Sequence, residues 1–245
     1  MSPFASSQIP SARIDRVAIL AALVSALSIA APSLSLARPA FIADFYEYAT
    51  DGAAHLAAAD INGDGHVDFV TANPDSHTYS VFLGDGEGTF LPRTDHPASG
   101  SPVYPTLGFL DGDAHLDLVL RATGLVWVFL GVGDGTFGPG TSYPAGSAAG
   151  SPAIGDVDGD GNPDVVVVNF STSSGTFSVL RGNGDGTLQP KIDHPTAAYT
   201  SQVFLADLNS NGILDVVVSG QVGTPRSWSS WEPEVAVSPR RPVTP

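Results

Sequence analysis

A nine-residue segment recurs four times along the chain and constrains the fold more than any other feature. Its first copy is Asp60-Ile61-Asn62-Gly63-Asp64-Gly65-His66-Val67-Asp68. It returns as Asp156-Val157-Asp158-Gly159-Asp160-Gly161-Asn162-Pro163-Asp164 and as Asp207-Leu208-Asn209-Ser210-Asn211-Gly212-Ile213-Leu214-Asp215. A degraded copy, Phe109 to Asp117, keeps Asp111, Asp113 and Asp117 but has phenylalanine at position 1 and Ala114 at position 6. The closing aspartates Asp68, Asp117, Asp164 and Asp215 stand 47–51 residues apart. Each copy runs into apolar residues such as Asp164-Val165-Val166-Val167-Val168, the composition of a strand buried on both faces.

A second element lies between these loops. It is Val81-Phe82-Leu83-Gly84-Asp85-Gly86-Glu87-Gly88-Thr89-Phe90, repeated from Val128 to Phe137 and from Val179 to Leu188. An apolar strand enters a glycine-rich turn each time. No segment after residue 37 carries a helical period. Units of 47–51 residues built from short strands and Gly/Asp/Pro turns predict an all-β fold. The expected architecture is a β-propeller-type repeat array, of about four blades or a partial propeller.

The loop pattern points to a hard cation. Side-chain oxygens fall at positions 1, 3, 5 and 9, and glycine at position 6 permits the positive φ that curls the backbone around a point. With the carbonyl of residue 7, the set offers five or six oxygens, which suits Ca²⁺. The candidate ligands are Asp60, Asn62, Asp64, His66 (carbonyl) and Asp68 in the first loop. The second offers Asp111, Asp113 and Asp117. The third offers Asp156, Asp158, Asp160, Asn162 (carbonyl) and Asp164. The fourth offers Asp207, Asn209, Asn211, Ile213 (carbonyl) and Asp215. The loop at Asp156 is expected to bind tightest, that at Asp60 next, that at Asp207 more weakly, and that at Phe109 weakly or not at all. Twelve of the 25 acidic side chains sit in these four loops, so the formal charge of −15 is concentrated where a counter-cation is needed. A metal-free Asp/Asn/Gly turn is the simpler alternative.

These residues resemble the FG-GAP repeats, also called VCBS-like repeats, of integrin alpha chains and many exported bacterial proteins. The resemblance runs from Phe41 to about Gly220 and rests on the D-x-[DN]-x-[DN]-G-x-x-D loop and the Gly-Asp-Gly-Thr-Phe turn. It implies a β-propeller, usually of seven blades, with loop-bound calcium and a role in extracellular adhesion or recognition. Some members of the family carry separate catalytic domains. Seven units of about 49 residues would need roughly 340 residues, more than this chain has.

The chain divides into three stretches by composition. Residues 1–37 have the layout of a signal peptide: Arg13 and Arg16, the apolar run Val17 to Ala31, then Ser35-Leu36-Ala37. The apolar run has 15 residues, fewer than the roughly 20 that span a bilayer, so no membrane span is expected after cleavage. The chain is therefore expected to be secreted, extracellular or periplasmic. Residues 38–220 hold the repeats. Residues 221–245 are rich in Arg, Pro, Ser and Trp and lose the pattern, and we read them as an atypical tail from a shifted reading frame. Phe41 to Thr50 reads as the end of a unit that could complete the last sheet.

The excess of acid argues against a nucleic-acid partner. The absence of cysteine excludes disulfides, thiolate metal sites and a cysteine nucleophile. No catalytic motif is found, and no catalytic residue is assigned. Asp95-His96 and Asp193-His194 have the look of catalytic pairs, but their equivalence between repeats assigns them to turns. The reading is an exported calcium-binding propeller module for an extracellular protein or glycan ligand. The alternatives are a polysaccharide-acting hydrolase or lyase, or a truncated, non-functional fragment of a larger propeller.

Overall fold

The computed structural model describes residues 48–146, 150–169, 175–196, 199–221 and 233–237. These lie within one compact unit, Tyr46–Pro245. Residues 1–47, which include the expected signal peptide, and most of the tail lie outside the described residues. Among the described residues no helix is long and apolar enough to cross a membrane.

The described residues form fifteen strands in four antiparallel sheets. The first sheet comprises β1 (His55–Ala59), β2 (Asp68–Asn73), β3 (Thr78–Phe82) and β4 (Thr94–Pro97). The second comprises β5 (Val103–Gly108), β6 (Asp117–Ala122), β7 (Leu125–Phe129) and β8 (Thr141–Pro144). The third comprises β9 (Ala153–Gly155), β10 (Asp164–Asn169), β11 (Gly175–Leu180) and β12 (Ile192–Thr196). The fourth comprises β13 (Tyr199–Ala206), β14 (Asp215–Gln221) and β15 (Pro233–Val237). Within each sheet the strands follow chain order, the meander of a propeller blade. β15 comes from the atypical tail and pairs with β14 from Val217↔Val237 to Gln221↔Pro233.

Burial explains why these segments are strands. β6 and β10 are buried at every residue, which suits their unbroken apolar runs. Their alternate side chains serve two interfaces. Val70, Ala72, Tyr79 and Val81 of the first sheet pack against Leu118, Leu120 and Phe129 of the second. Val119, Val126 and Val128 of the second meet Val165, Val167 and Leu180 of the third. Val166, Val168, Phe177 and Val179 of the third meet Val203, Val216 and Val218 of the fourth. Each fully buried side chain of this size stabilises the fold by about 1.5–3 kcal/mol. Burial also pushes the Tyr79 hydroxyl up to about 12. No core cluster joins the fourth sheet to the first among the described residues, so the propeller-like arrangement is open.

Among the buried polar side chains of the described residues, Arg121 is the one cation. Arg121 on β6 is wholly buried, where β2 has Ala72 and β10 has Val168. Its Nη1 donates to the Val168 carbonyl at 2.9 Å and its Nη2 to the Gly146 carbonyl at 3.2 Å. Nε has no hydrogen-bond partner. Burial lowers its pKa to about 10, so it stays charged at neutral pH while tying the second sheet to the third. Arg121→Ala is expected to lower stability by about 2–4 kcal/mol through the cavity and two unpaired carbonyls. Arg121→Met, which fills the space without a buried charge, is expected to fall within about 1 kcal/mol of wild type. Urea denaturation of the three proteins checks this order.

Candidate metal centre

Each nine-residue loop joins the inner strand of a sheet to its second strand. The aspartate at position 1 gathers the amides of the curl. Asp60 Oδ1 accepts from the Gly63 N–H at 2.8 Å and the Asp64 N–H at 3.1 Å, and Oδ2 accepts from Gly65 at 2.8 Å. Asp156 takes the amides of Gly159 at 2.6 Å and Gly161 at 3.0 Å. Asp207 takes those of Asn211 at 3.1 Å and Gly212 at 2.8 Å. These bonds hold the Asp207 carboxyl below the usual carboxylate range. Positions 3 and 5 each accept the amide two residues on, as Asp158 does from Asp160 and Asp160 from Asn162. The second loop follows the same path with Phe109 half exposed at position 1. Its Ala114 takes φ 69°, where Gly65, Gly161 and Gly212 take 85°, 88° and 82°.

The aspartate at position 9 has another task. Asp68, Asp117 and Asp164 are fully buried and each binds two amides distant in sequence. Asp68 Oδ2 accepts from the Ile61 N–H at 2.8 Å and Oδ1 from the Gly84 N–H at 2.7 Å. Asp117 binds Leu110 at 2.6 Å and Gly131 at 2.8 Å, and Asp164 binds Val157 and Gly182 at 3.0 Å. Asp215 binds Leu208 at 3.0 Å and the Asn209 side chain at 3.2 Å. Burial raises the Asp117 and Asp164 pKa values against the opposing pull of these bonds. The partner glycines open the glycine-rich turns. A methyl group on Gly84, Gly131 or Gly182 would collide with the carbonyl of Val67, Leu116 or Pro163, so the two repeated elements meet backbone to backbone. The position-7 side chains His66 and His115 lie over Gly86 and Gly133 of the same turns.

Among the described residues, the third loop brings three carboxylates together. Asp156, Asp158 and Asp164 each offer an oxygen, all within 4.8 Å of one another. Hard oxygens at this density fit a divalent cation of the calcium type. Arg181 already faces this group, with Nη1 3.1 Å from Asp158 Oδ2. In the first and fourth loops, amides replace carboxylates and donate within the loop: Asn62 to Asp64 at 2.9 Å, Asn209 to Asp215. Asp111 and Asp113 cap amides of their own loop, where position 1 carries no oxygen.

The Asp-His pairs are not turn residues. They lie on β4 and β12, and successive strand residues point to opposite faces. His96 stacks on Tyr79 with ring centres 5.0 Å apart, and His194 on Phe177 at 4.8 Å. Asp95 instead accepts the Ser80 hydroxyl at 2.6 Å, and Ser80 accepts from Asn73 Nδ2 at 2.8 Å. Asn169, Ser178 and Asp193 repeat this polar ladder in the third sheet. Sequence reading missed it, although in both units Asn stands five residues after the position-9 aspartate and Ser four residues before the turn glycine.

A family model described as FG-GAP-like repeat matches residues 60–120, 110–167 and 156–218. The chain belongs to the FG-GAP-like repeat family. No curated protein matches it. It is similar in fold to a lectin from Agrocybe aegerita described for recognition of non-reducing terminal N-acetylglucosamine (23% identity, TM-score 0.47, 66% of this chain and 47% of that one). It is also similar to the Photorhabdus luminescens Tc holotoxin pore (19% identity, TM-score 0.43, 74% and 9%). A third is BBS1N in complex with ARL6DN (14% identity, TM-score 0.47, 68% and 46%). The matched region thus spans about half or less of each of these chains.

The second FG-GAP-like unit separates structural from metal-directed roles, because its loop lacks a position-1 oxygen. Asp117→Asn places an NH₂ group against the Leu110 or Gly131 amide and is expected to cost about 1–3 kcal/mol. Ala114→Gly relieves a left-handed backbone and is expected to stabilise by about 1 kcal/mol. Both are measured by urea unfolding in EDTA.

Proposed function

We propose that this FG-GAP-like chain is an exported propeller module that binds an extracellular protein or glycan, with structural calcium in its loops. The observation that carries the calcium reading is the convergence of Asp156, Asp158 and Asp164. These three residues would hold the ion, with Asp160 and the Asn162 carbonyl supplying further hard oxygens. Calcium would neutralise charge that the chain, with ten basic side chains against 25 acidic ones, has little other means of balancing. It would also pin the loop between β9 and β10 in a protein that has no disulfide. The chain's own residues already shape that loop, since the position-1 carboxylate and the position-3 and position-5 side chains cap its amides. The layout of residues 1–37 supports export, and cleavage after Ala37 would appear in the N-terminal sequence of the secreted protein. A binding role is favoured over catalysis because the position-9 aspartates and the Asp-His pairs each have a structural duty.

Thermal unfolding in EDTA and across a calcium titration tests the metal reading. Extracellular calcium modules bind at about 10⁻⁴–10⁻³ M. Saturation to a hundredfold the dissociation constant adds about 2.7 kcal/mol per site, or roughly 5–10 °C in Tm for a chain of this size. We expect that rise with calcium and not with magnesium, and its loss in Asp158→Asn. Arg181→Gln removes a cation competing for Asp158 and is expected to tighten calcium binding by up to about fivefold. A cooperative melt indifferent to calcium overturns the metal reading and leaves the loops as amide-capped turns.

A further inference from the structure

The repeat makes every internal interface from the same two halves, and among the described residues one copy of each half is left without a partner sheet, on the first sheet and on the fourth. The inner strand alternates. The residues one and three places before each loop point to the following sheet, and those two and four places before it point to the preceding sheet. At internal interfaces the forward residues are small: Ala57 and Ala59, Thr106 and Gly108, Ala153 and Gly155. They receive a large backward residue: Leu107, Ile154 or Leu205. The fit is close, since a methyl group on Gly108 would stand 2.9 Å from Ile154 Cδ1 and one on Gly155 would strike Leu214 and come within 3.1 Å of Leu205. Polar bonds follow the same pattern. Thr106 Oγ1 donates to the Pro152 carbonyl at 3.3 Å, and the Leu214 amide donates to the Asp156 carbonyl at 3.3 Å.

The two ends break the size rule in opposite senses. The forward face of the fourth sheet carries Phe204 where the other sheets have Ala57, Thr106 and Ala153. It also carries Leu208 at loop position 2, and both residues are 56% exposed. The equivalent Ile61 and Leu110 are 3% and 1% exposed. The backward face of the first sheet carries Ala58 where the others have Leu107, Ile154 and Leu205. Beside it Leu56 is 47% exposed, although its counterpart Val203 is 6% exposed, and Val67 at loop position 8 is 40% exposed, where Leu116, Pro163 and Leu214 are half-buried. Tyr48 meets Phe82 and Phe90 of the first unit edge-on, with ring centres 6.1 and 5.3 Å apart. A large forward residue and a small backward one restore the volume that every internal interface has. Exposed apolar faces of this kind mark association sites.

We propose that a second copy of this chain occupies these faces, the fourth sheet of each copy packing its Phe204 and Leu208 on Leu56, Ala58 and Val67 of the other. The contact is heterologous, using different surfaces on the two sides, and two copies joined twice leave neither face open. Eight sheets result, within the range of propeller rings. Calcium is not required for the pairing.

Light scattering coupled to size exclusion tests this on wild type and on Leu56→Asp, Phe204→Asp and Val132→Asp. Val132 is an equally exposed apolar residue away from both faces, and aspartate is what Asp85 supplies at that position in the first unit. Wild type and Val132→Asp are expected at twice the chain mass, and Leu56→Asp and Phe204→Asp at the single-chain mass with unchanged circular dichroism. Mixing the two monomeric variants leaves one intact face on each and is expected to restore the doubled mass. The chain has no cysteine, so oxidised Leu56→Cys/Phe204→Cys reports the neighbour directly. A disulfide-linked pair of chains is expected. An intramolecular disulfide, a monomeric wild type, or dissociation of only one of the two face variants overturns the proposal.

Discussion

The buried carboxylate at position 9 is the contact on which each unit depends. Asp68, Asp117 and Asp164 each accept one amide from the start of their own loop and one from the glycine that opens the next turn. Both motifs of the repeat are thereby clamped on the first residue of the second strand. The clamp fixes register, because a shift of one residue would turn the carboxylate out of its place and every valine of the strand to the wrong face. It also explains why glycine stands at Gly84, Gly131 and Gly182, since any side chain would strike the loop carbonyl the clamp draws close.

From that clamp the sheets stack by a rule of size. Small residues on one inner strand accept large ones from the next, and the second strands fill both sides with valine and leucine. Arg121 is the exception that fits the geometry. Its long side chain crosses between the second and third sheets and donates to carbonyls at the end opposite the loops, where no position-9 carboxylate can act. Charge and apolar packing thus hold the same pair of sheets at different heights.

Much of this was legible in the sequence. The spacing of Asp68, Asp117, Asp164 and Asp215 announced the units, and runs such as Val165 to Val168 announced the strands. Local patterns carry that information because loop curl and strand alternation are set by neighbours in the chain. What stayed hidden depends on contacts across the fold. Nothing near His96 in sequence reveals the Tyr79 ring beneath it, so a strand residue reads as a turn. The ladder Asn73–Ser80–Asp95 crosses three strands, and only their register joins it. β15 was likewise illegible, since the tail that supplies it breaks the repeat's pattern and its place is given by pairing with β14.

The loops show how one sequence pattern serves two physical ends. In all four, side-chain oxygens at positions 3 and 5 first satisfy amides that the curl would otherwise leave unpaired. An amide oxygen does this as well as a carboxylate, and so asparagine is tolerated at Asn62, Asn209 and Asn211. Carboxylates in excess of that need are what distinguish the third loop, where Asp156, Asp158 and Asp164 converge with Arg181 opposite. The turn is therefore preformed by hydrogen bonds, and the charge left over at Asp156–Asp164 is the part of the pattern that turn geometry alone does not require. Mutation can separate the two, since Asp→Asn changes the charge and keeps the cap.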